Sequence, residues 1–334
     1  TPLAEDGYLY VVDQWSILYK IDARSGEAGR IMWRMDPGLE KPPTWSNRGA
    51  ALAGDLVITV AGWPSRVIAT HKNTGKIVWQ TNVQDQVNVE LTAAPLVIGD
   101  KVIVGASGGD RGVRCWIAAF DLETGKQLWK KFTIPAPGEK GSETWKDKNN
   151  AWQTGGGALW VTGTYDPGTH QMFWGTGNPV PMFDPTYRPG DNLFTNSAIS
   201  WNPDNGDMNW YFQYLPGDGW DYDEIGTHII IDVETRGGAR RFLTHSSRNG
   251  HVYTMDRVSS QLHLAKPYTY VNWTKGIDQK TGKPVDYVPG ADRQIYAGAA
   301  TPQPGKPAKQ CPSLSGGNNF WPSAYSPQIG RAHV

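Results

Sequence analysis

The chain has little of what would mark a membrane, nucleic-acid-binding or disulfide-built protein. No apolar run approaches the roughly 20 residues a spanning helix needs. The longest, such as 56–61 and 101–106, are the length of a strand. Charge of one sign is not in surplus: Lys plus Arg and Asp plus Glu are both 32. A non-specific nucleic-acid binder needs a basic surplus to neutralise phosphates. Two cysteines, Cys115 and Cys311, are too few for a disulfide framework and too far apart for a CxxC pair. None of the seven histidines stands in HExxH or another close metal spacing, which argues against a zinc hydrolase. Helical periodicity is missing over every long window. There is no initiator Met or leader, and Thr1-Pro2-Leu3-Ala4 reads as the interior of a repeat, so the chain is expected to lack its original start.

What is there is aromatic, turn-rich and repetitive. Sixteen Trp, 14 Tyr and 8 Phe are too many for a disordered chain. The 39 Gly and 24 Pro make about 19% of the residues, against roughly 12% in average usage. An apolar strand, a Gly/Asp turn and a second strand recur as Glu5–Val11, Ala53–Ile58 and Ile98–Val104. An Asp/Asn-x-x-Thr-Gly-Lys-x-x-Trp type of ending follows. It occurs from Asp22 to Trp33 with an insertion, at Asn73–Trp79, at Asp121–Trp129 and at Asn202–Trp210, with a degenerate fifth copy at Asp278–Lys283. Trp33, Trp79 and Trp129 are 46 and 50 residues apart. That period, with strands of about five residues, fits four strands per unit. Gly frees the turn to take positive φ, and the Trp after it packs between neighbouring sheets. The fold expected is all-β, a β-propeller, with about five blades' worth of repeats broken off at both ends. Residues 1–328 form this partial propeller. Ile329–Val334 match the translation of a common sequencing adapter, so 329–334 is expected to be a non-native tail.

Four stretches interrupt the repeats, and departures from a repeat are where a propeller usually keeps its site. Ser107–Gly112 is Gly-rich, and its Asp110 can bind a cation, although a plain turn is the blander reading. Gly155–Trp160 is followed by Gly175-Thr176-Gly177-Asn178-Pro179. There Trp160 can stack on a planar ligand and Asn178 offers a carbonyl oxygen, against a buried Trp and a turn Asn. Gly217–Glu224 holds four carboxylates in seven residues. In an extended chain Asp221 and Asp223 project to one face, and like charges so close repel unless a cation joins them or one is protonated. The competing reading is a solvated acidic loop. Thr244–Gly250 contains Arg248, which can neutralise an anion, and Cys311–Trp321 lies near the end.

In order and spacing, these segments resemble the pyrroloquinoline quinone (PQQ)-dependent alcohol dehydrogenases of the methanol/ethanol dehydrogenase family, from Thr1 to about Pro327. The resemblance rests on Asn47-Arg48-Gly49, the Ser107–Arg114 loop, Gly175–Pro179, Arg188-Pro189-Gly190-Asp191-Asn192, Trp220-Asp221-Tyr222-Asp223 and His245–Gly250. It implies an eight-bladed propeller, a periplasmic location and electron delivery to a c-type cytochrome, with a homodimer left open. It implies that Trp160 stacks on the quinone and that Arg48, Thr92 and Ser107 hold its carboxylates. The Gly108–Gly109 backbone lines the pocket, and Asn319 makes a further contact. Asp110, Asn178, Asp221 and Asp223 become metal ligands, Arg248 stands beside the reactive carbonyl, and Asp221 is the catalytic base.

The sequence departs from the family in three places. Pro42-Pro43-Thr44-Trp45 stands where a vicinal cysteine pair is common, position 110 is Asp where Glu is usual, and position 158 is Ala in place of Thr. Family members that use lanthanides carry Asp two positions after the base. Asp223 therefore favours a lanthanide, with Ca²⁺ the alternative. The function expected is oxidation of alcohols, primary ones by family default. Two readings compete: a non-catalytic propeller scaffold that binds other proteins, and a carbohydrate-active propeller using Asp221 and Asp110 as acid and base.

Overall fold

The computed structural model describes residues 2–303 and 305–333. Of the expected foreign tail, Val334 lies outside the described residues, as does Thr1 at the other end. Five four-stranded antiparallel sheets follow one another along the chain, at 3–35, 51–82, 96–132, 164–213 and 228–267. Each is a meander in which consecutive strands pair. A two-stranded pair, Ala324–Ser326 with Arg331–His333, comes last. Among the described residues the helical segments are three short 3₁₀ turns, as the missing helical periodicity implies.

The sheets are propeller blades, and their strands differ by position within the blade. In blade 2 the middle strands Leu56–Ala61 and Arg66–His71 are buried almost throughout, whereas the last, Ile77–Asn82, is mostly exposed. A strand covered on both faces reads as a continuous apolar run, and a strand at the rim does not. Blades 1, 2, 4 and 5 share a register shift on the third strand where the fourth pairs with it, at Lys20/Ile21, Ala69/Thr70, Ser200/Trp201 and Thr254/Met255.

The repeat ending has a clear physical role. The residue that opens the turn donates its N–H five residues on: His71 to Lys76 O, Asp121 to Lys126 O, Asn202 to Asp207 O. Gly75, Gly125 and Gly206 take φ of +70°, +71° and +71°. The tryptophan of one blade then reaches the turn of the next. Trp33 Nε1 donates to Lys72 O at 3.1 Å, Trp79 Nε1 to Leu122 O at 2.9 Å and Trp210 Nε1 to Arg257 O at 3.1 Å. A Cβ on Gly75 would meet the Trp33 ring at 2.7 Å, and one on Gly125 the Trp79 ring at 2.4 Å. The turn glycine is therefore required twice, by its own φ and by the indole lying on it.

One expected repeat is corrected. Asp278–Lys283 makes the same turn, with Asp278 N–H on Lys283 O and Gly282 at +72°, but no blade strand adjoins it. The turn of blade 5 is at 256–261. There Asp256 N–H donates to Gln261 O, and Ser260 takes φ +61° in the place of Gly.

The chain divides into two compact units. The first comprises Thr1–Gly108, Ile117–Lys131 and Trp160–Thr162, and the second Gly109–Trp116, Phe132–Leu159 and Gly163–Val334. The core of the first includes Tyr10, Leu18, Val57 and Ile68. The core of the second is aromatic, with Trp220, Tyr222, Tyr214, Tyr253, Trp273 and Tyr296.

Candidate active site

The acidic segment of the second unit is held from below before it presents anything. Asp218 is fully buried, and burial pushes its carboxyl up from the usual range. Its Oδ1 accepts Trp220 N–H at 2.8 Å and its Oδ2 accepts Tyr222 N–H at 3.0 Å. These are the amides on either side of Asp221. The clamp accounts for φ +65° at Asp221, a conformation that costs a non-glycine residue about 1 kcal/mol or more. Trp220 and Tyr222 turn into the core, donating from Trp220 Nε1 to Ala300 O at 2.6 Å and from the Tyr222 hydroxyl to Pro312 O. Arg188, also fully buried, donates to Asp218 O and to Asn192 Oδ1. The Arg188–Asn192 motif is thus a staple beneath the loop.

Asp221 and Asp223 meet on one arginine. Arg248 Nη1 donates to Asp223 Oδ2 at 2.8 Å, and Nη2 to Asp221 Oδ2 at 3.4 Å. The expected shared face is real, but its reason is not strand alternation: no strand runs here and Asp221 is left-handed. Arg248 is held from its other side by Leu314 O, which accepts from Nε at 3.1 Å and from Nη2 at 2.7 Å. Gly316 is needed there, since its Cβ would lie 2.1 Å from Arg248 Cγ. Burial pushes both carboxyls up. For Asp221 the neighbouring Asp223 adds to the rise, Arg248 opposes it, and Asp110 raises it further. For Asp223, Arg248 is the main opposing influence and Asp110 again raises. Asp110 stands exposed in the first of the 3₁₀ turns, Gly109–Arg111.

The Gly175–Pro179 motif is the seat of this loop. A Cβ on Gly175 would lie 1.9 Å from Glu224 O, and one on Gly177 2.4 Å from Asp223 Oδ1. Asn178 is buried; its backbone N–H donates to Asp223 Oδ1 at 2.8 Å and its amide nitrogen to Pro179 O. Asp223 therefore already spends both oxygens on Arg248 and Asn178, whereas Asp221 Oδ1 is buried with no hydrogen-bond partner. The amide oxygen of Asn319 is in the same condition. A buried oxygen without a donor, between carboxyls that resist ionisation, fits a cation. Among the described residues, no three His, Cys, Asp or Glu side chains gather closely enough to cage a metal by themselves. A cation here needs oxygens of mixed origin, Asn178 among them.

The first unit assembles the other expected residues. The Arg48 guanidinium lies over the Trp160 ring, 4.6 Å from its centroid, and burial lowers its pKa. Trp160 is half-buried, unlike the core tryptophans. Thr92 and Ser107 are buried and share a hydrogen bond of 2.7 Å between their hydroxyls, and Thr92 Oγ1 is 3.5 Å from Trp160 O. Gly108 takes φ +94°. In the second unit, a Cβ on Gly109 would crowd Ala158 at 3.2 Å. Cys115 and Cys311 are both free thiols.

Sequence reasoning missed Asp218 as the clamp, Glu224 as anything more than a fourth carboxylate, and the Leu314 carbonyl and Gly316 that hold Arg248. Only Asp218 carried a local signal, an Asp two residues ahead of an N–H it can accept.

Comparison with known proteins gives the family. Residues 1–261 match the family described as PQQ, glucose/ethanol/alcohol dehydrogenase, β-propeller domain. The chain is 33% identical over 354 residues to a quinohemoprotein alcohol dehydrogenase of Comamonas testosteroni, covering all of this chain and 48% of that protein. It is 34% identical over 309 residues to a lanthanide-dependent methanol dehydrogenase of Methylacidiphilum fumariolicum, covering 86% of this chain and 48% of the relative. A europium-containing methanol dehydrogenase superposes with a TM-score of 0.88 at 30% identity, over all of this chain and 60% of that one. The chain spans about half the length of the curated relatives it matches. From blades, seated acidic loop and match alike, the chain belongs to the PQQ-dependent glucose/ethanol/alcohol dehydrogenase β-propeller family.

Proposed function

We propose that this chain is the propeller portion of a PQQ-dependent alcohol dehydrogenase, with Asp221 as the base that takes the hydroxyl proton of the alcohol. The observation that carries the reading is Asp221 itself: a buried carboxyl with one oxygen unpartnered and the other on Arg248. Its raised pKa makes it a stronger proton acceptor once ionised, and Arg248 holds it in one orientation. When bound, PQQ supplies the acceptor for the hydride leaving the alcohol carbon, with a metal ion polarising its carbonyl. Trp160 offers a face for stacking, and Arg48 and Arg248 offer charge-assisted hydrogen bonds to an anionic ligand. Thr92, Ser107, Gly108, Gly109 and Asn319 complete the cofactor contacts. Asp110, Asn178, Asp221 and Asp223 are the metal's protein ligands. The substrates are primary alcohols, the electrons pass to a c-type cytochrome, and the compartment is the periplasm. The name of the quinohemoprotein relative supports the haem partner.

The metal we assign is a lanthanide, supported by the names of two relatives. If Asp110 closes onto the ion with Asp221 and Asp223, three carboxylates beside an anionic quinone are better neutralised by a trivalent ion than by Ca²⁺. The test is to prepare the full chain without metal, add PQQ with La³⁺ or Ca²⁺, and assay ethanol oxidation. Activity with La³⁺ and less with Ca²⁺ is expected. Equal or better activity with Ca²⁺, or an Asp223→Ala variant that keeps its La³⁺-dependent rate, removes the lanthanide assignment. Asp221→Asn oxidising alcohol at the wild-type rate removes the base.

A further inference from the structure

Glu224 takes no part in that chemistry, yet its carboxylate is engaged by three partners. Its side chain is completely buried. Oε2 lies 2.9 Å from His245 Nε2 and accepts Arg248 N–H at 3.3 Å, and Oε1 accepts from the Ser247 hydroxyl. Its backbone is fixed as firmly: Glu224 N–H donates to Thr176 O at 3.2 Å, and its carbonyl rests on Gly175. The ring of His245 is set in turn by His228, which stacks on it in parallel at 4.2 Å and is held by the Tyr214 hydroxyl at 3.0 Å.

All three side-chain contacts come from one stretch, 245–248, and that stretch ends on Arg248. A buried carboxylate is expensive, and a cheaper apolar residue would fill the same volume. What a fully satisfied polar network adds is rigidity and a single geometry. Glu224 lies three residues after Asp221 on a loop clamped by Asp218. A tie between Glu224 and the turn of Arg248 therefore makes the origin of the guanidinium and the backbone of the base one body. Leu314 O and Gly316 fix the guanidinium end, and Gly317 N–H holds Arg248 O. Pairing of His245 with His228 joins the stretch to the chain four residues after Glu224, and Glu224 carries the tie on to the Arg248 N–H itself.

We propose that Glu224 is a positioning residue, clamping the 245–248 turn to the acidic loop so that Arg248 is delivered to Asp221 and Asp223. The role rests on the quinoprotein reading, because the function positioned is that of Arg248 toward the cofactor and the base.

The test is a double-mutant cycle in the full chain, Glu224→Ala against Arg248→Ala, with Glu224→Gln as the conservative variant. Three quantities are read: PQQ affinity by fluorescence titration, kcat and KM for ethanol, and the melting temperature. Partners of this kind typically cost 10–100-fold when removed. Glu224→Ala is expected to weaken PQQ binding or lower kcat by about tenfold or more. Glu224→Gln, which keeps an acceptor oxygen, should recover most of that loss. In the Arg248→Ala background, Glu224→Ala should cost less than about twofold, since a residue acting through another is non-additive with it. Additive effects, or a lower melting temperature with PQQ affinity and kcat unchanged, overturn the proposal and leave Glu224 merely structural. If Glu224→Ala does not fold, Ser247→Ala removes one contact only and enters the same cycle with the same expected non-additivity. A wild-type chain that binds no PQQ sinks the quinoprotein reading and this role together. A wild type that binds PQQ but gives an additive cycle sinks only this role.

Discussion

In blade 3, Asp121 accepts two hydrogen bonds from Thr124, from its N–H at 2.8 Å and its hydroxyl at 2.6 Å, and these hold its carboxyl below the usual range. Asp221 accepts only a 3.4 Å contact from Arg248, leaves its other oxygen without a partner, and is pushed up by burial and by Asp223. The turn recurs in blades 2 to 5, opened by His71, Asp121, Asn202 and Asp256, and the Asp121 carboxyl is satisfied within three residues. The loop aspartate stands once, and the charges around it come from separate stretches of chain, at Asp110, at Asp218 and Asp223, and at Arg248. Local satisfaction marks a carboxylate used to build. Costly, incomplete satisfaction at a clamped backbone marks one held for use.

Breaking the comparison at its strongest point means exchanging each aspartate for asparagine. Asp221→Asn should lower alcohol oxidation by about 10²–10⁴-fold, the usual loss of a general base. Asp121→Asn should leave the rate within about twofold, read as kcat/KM for ethanol in the reconstituted full chain. A similar contrast separates the glycine under the acidic loop from one in an open hairpin turn of blade 2. Gly175→Ala forces a Cβ onto the Glu224 carbonyl at 1.9 Å and should cost about 3 kcal/mol, the upper end of overpacking. Gly54→Ala, at φ +52° with open space around it, should cost about 1 kcal/mol. Urea midpoints measure both. A blade contact removed singly should matter less. Trp79→Phe deletes the bond to Leu122 O and should cost about 1 kcal/mol in the same measurement.

The smallest effect is a difference in slope with pH. Asp121 titrates lower when folded than its ordinary 3.8, so the unfolded chain holds more protons and stability rises with pH. The stability from Asp121 is present above pH 3.8 and lost as pH falls through its folded value. Asp221 titrates higher when folded, so the sign reverses, and its ionisation destabilises the metal-free fold as pH rises past 3.8. Asp221→Asn should therefore raise the melting temperature of metal-free protein at pH 8 and not at pH 3. Asp121→Asn should lower it at pH 7, and by less as pH falls below 3.8. Parallel curves for the two variants would erase the distinction.

The blades were legible because their signals are local. A Gly-containing turn and a Trp a few residues later suffice to place a blade's last strand. The reading failed where that local signal was replaced or duplicated. Ser260 takes the left-handed position without being glycine, so blade 5 hid its turn, while Asp278–Lys283 copied the turn outside any blade. At the site, Asp221, Asp223 and Arg248 drew notice by residue type, and the structure joins them. Gly175 and Gly177 did not disclose why they are glycines, since the atoms they make room for are 45 or more residues away. Glu224 was invisible for the same reason: its partners lie 21 to 24 residues on, with no pattern that announces them.

The indole bonds between blades set an order in time as well as in space. Trp33 finds its acceptor 39 residues later in the chain, Trp79 its own after 43 and Trp210 after 47. A ribosome adds about 5–20 residues per second. Blades 1, 2 and 4 must therefore each wait several seconds, with one large aromatic side chain short of its acceptor, for the next blade's turn to emerge. The nascent chain grows with an adhesive edge that moves forward one blade at a time. A pause in synthesis just after a blade-closing tryptophan prolongs that exposure, and a pause about 40 residues later does not.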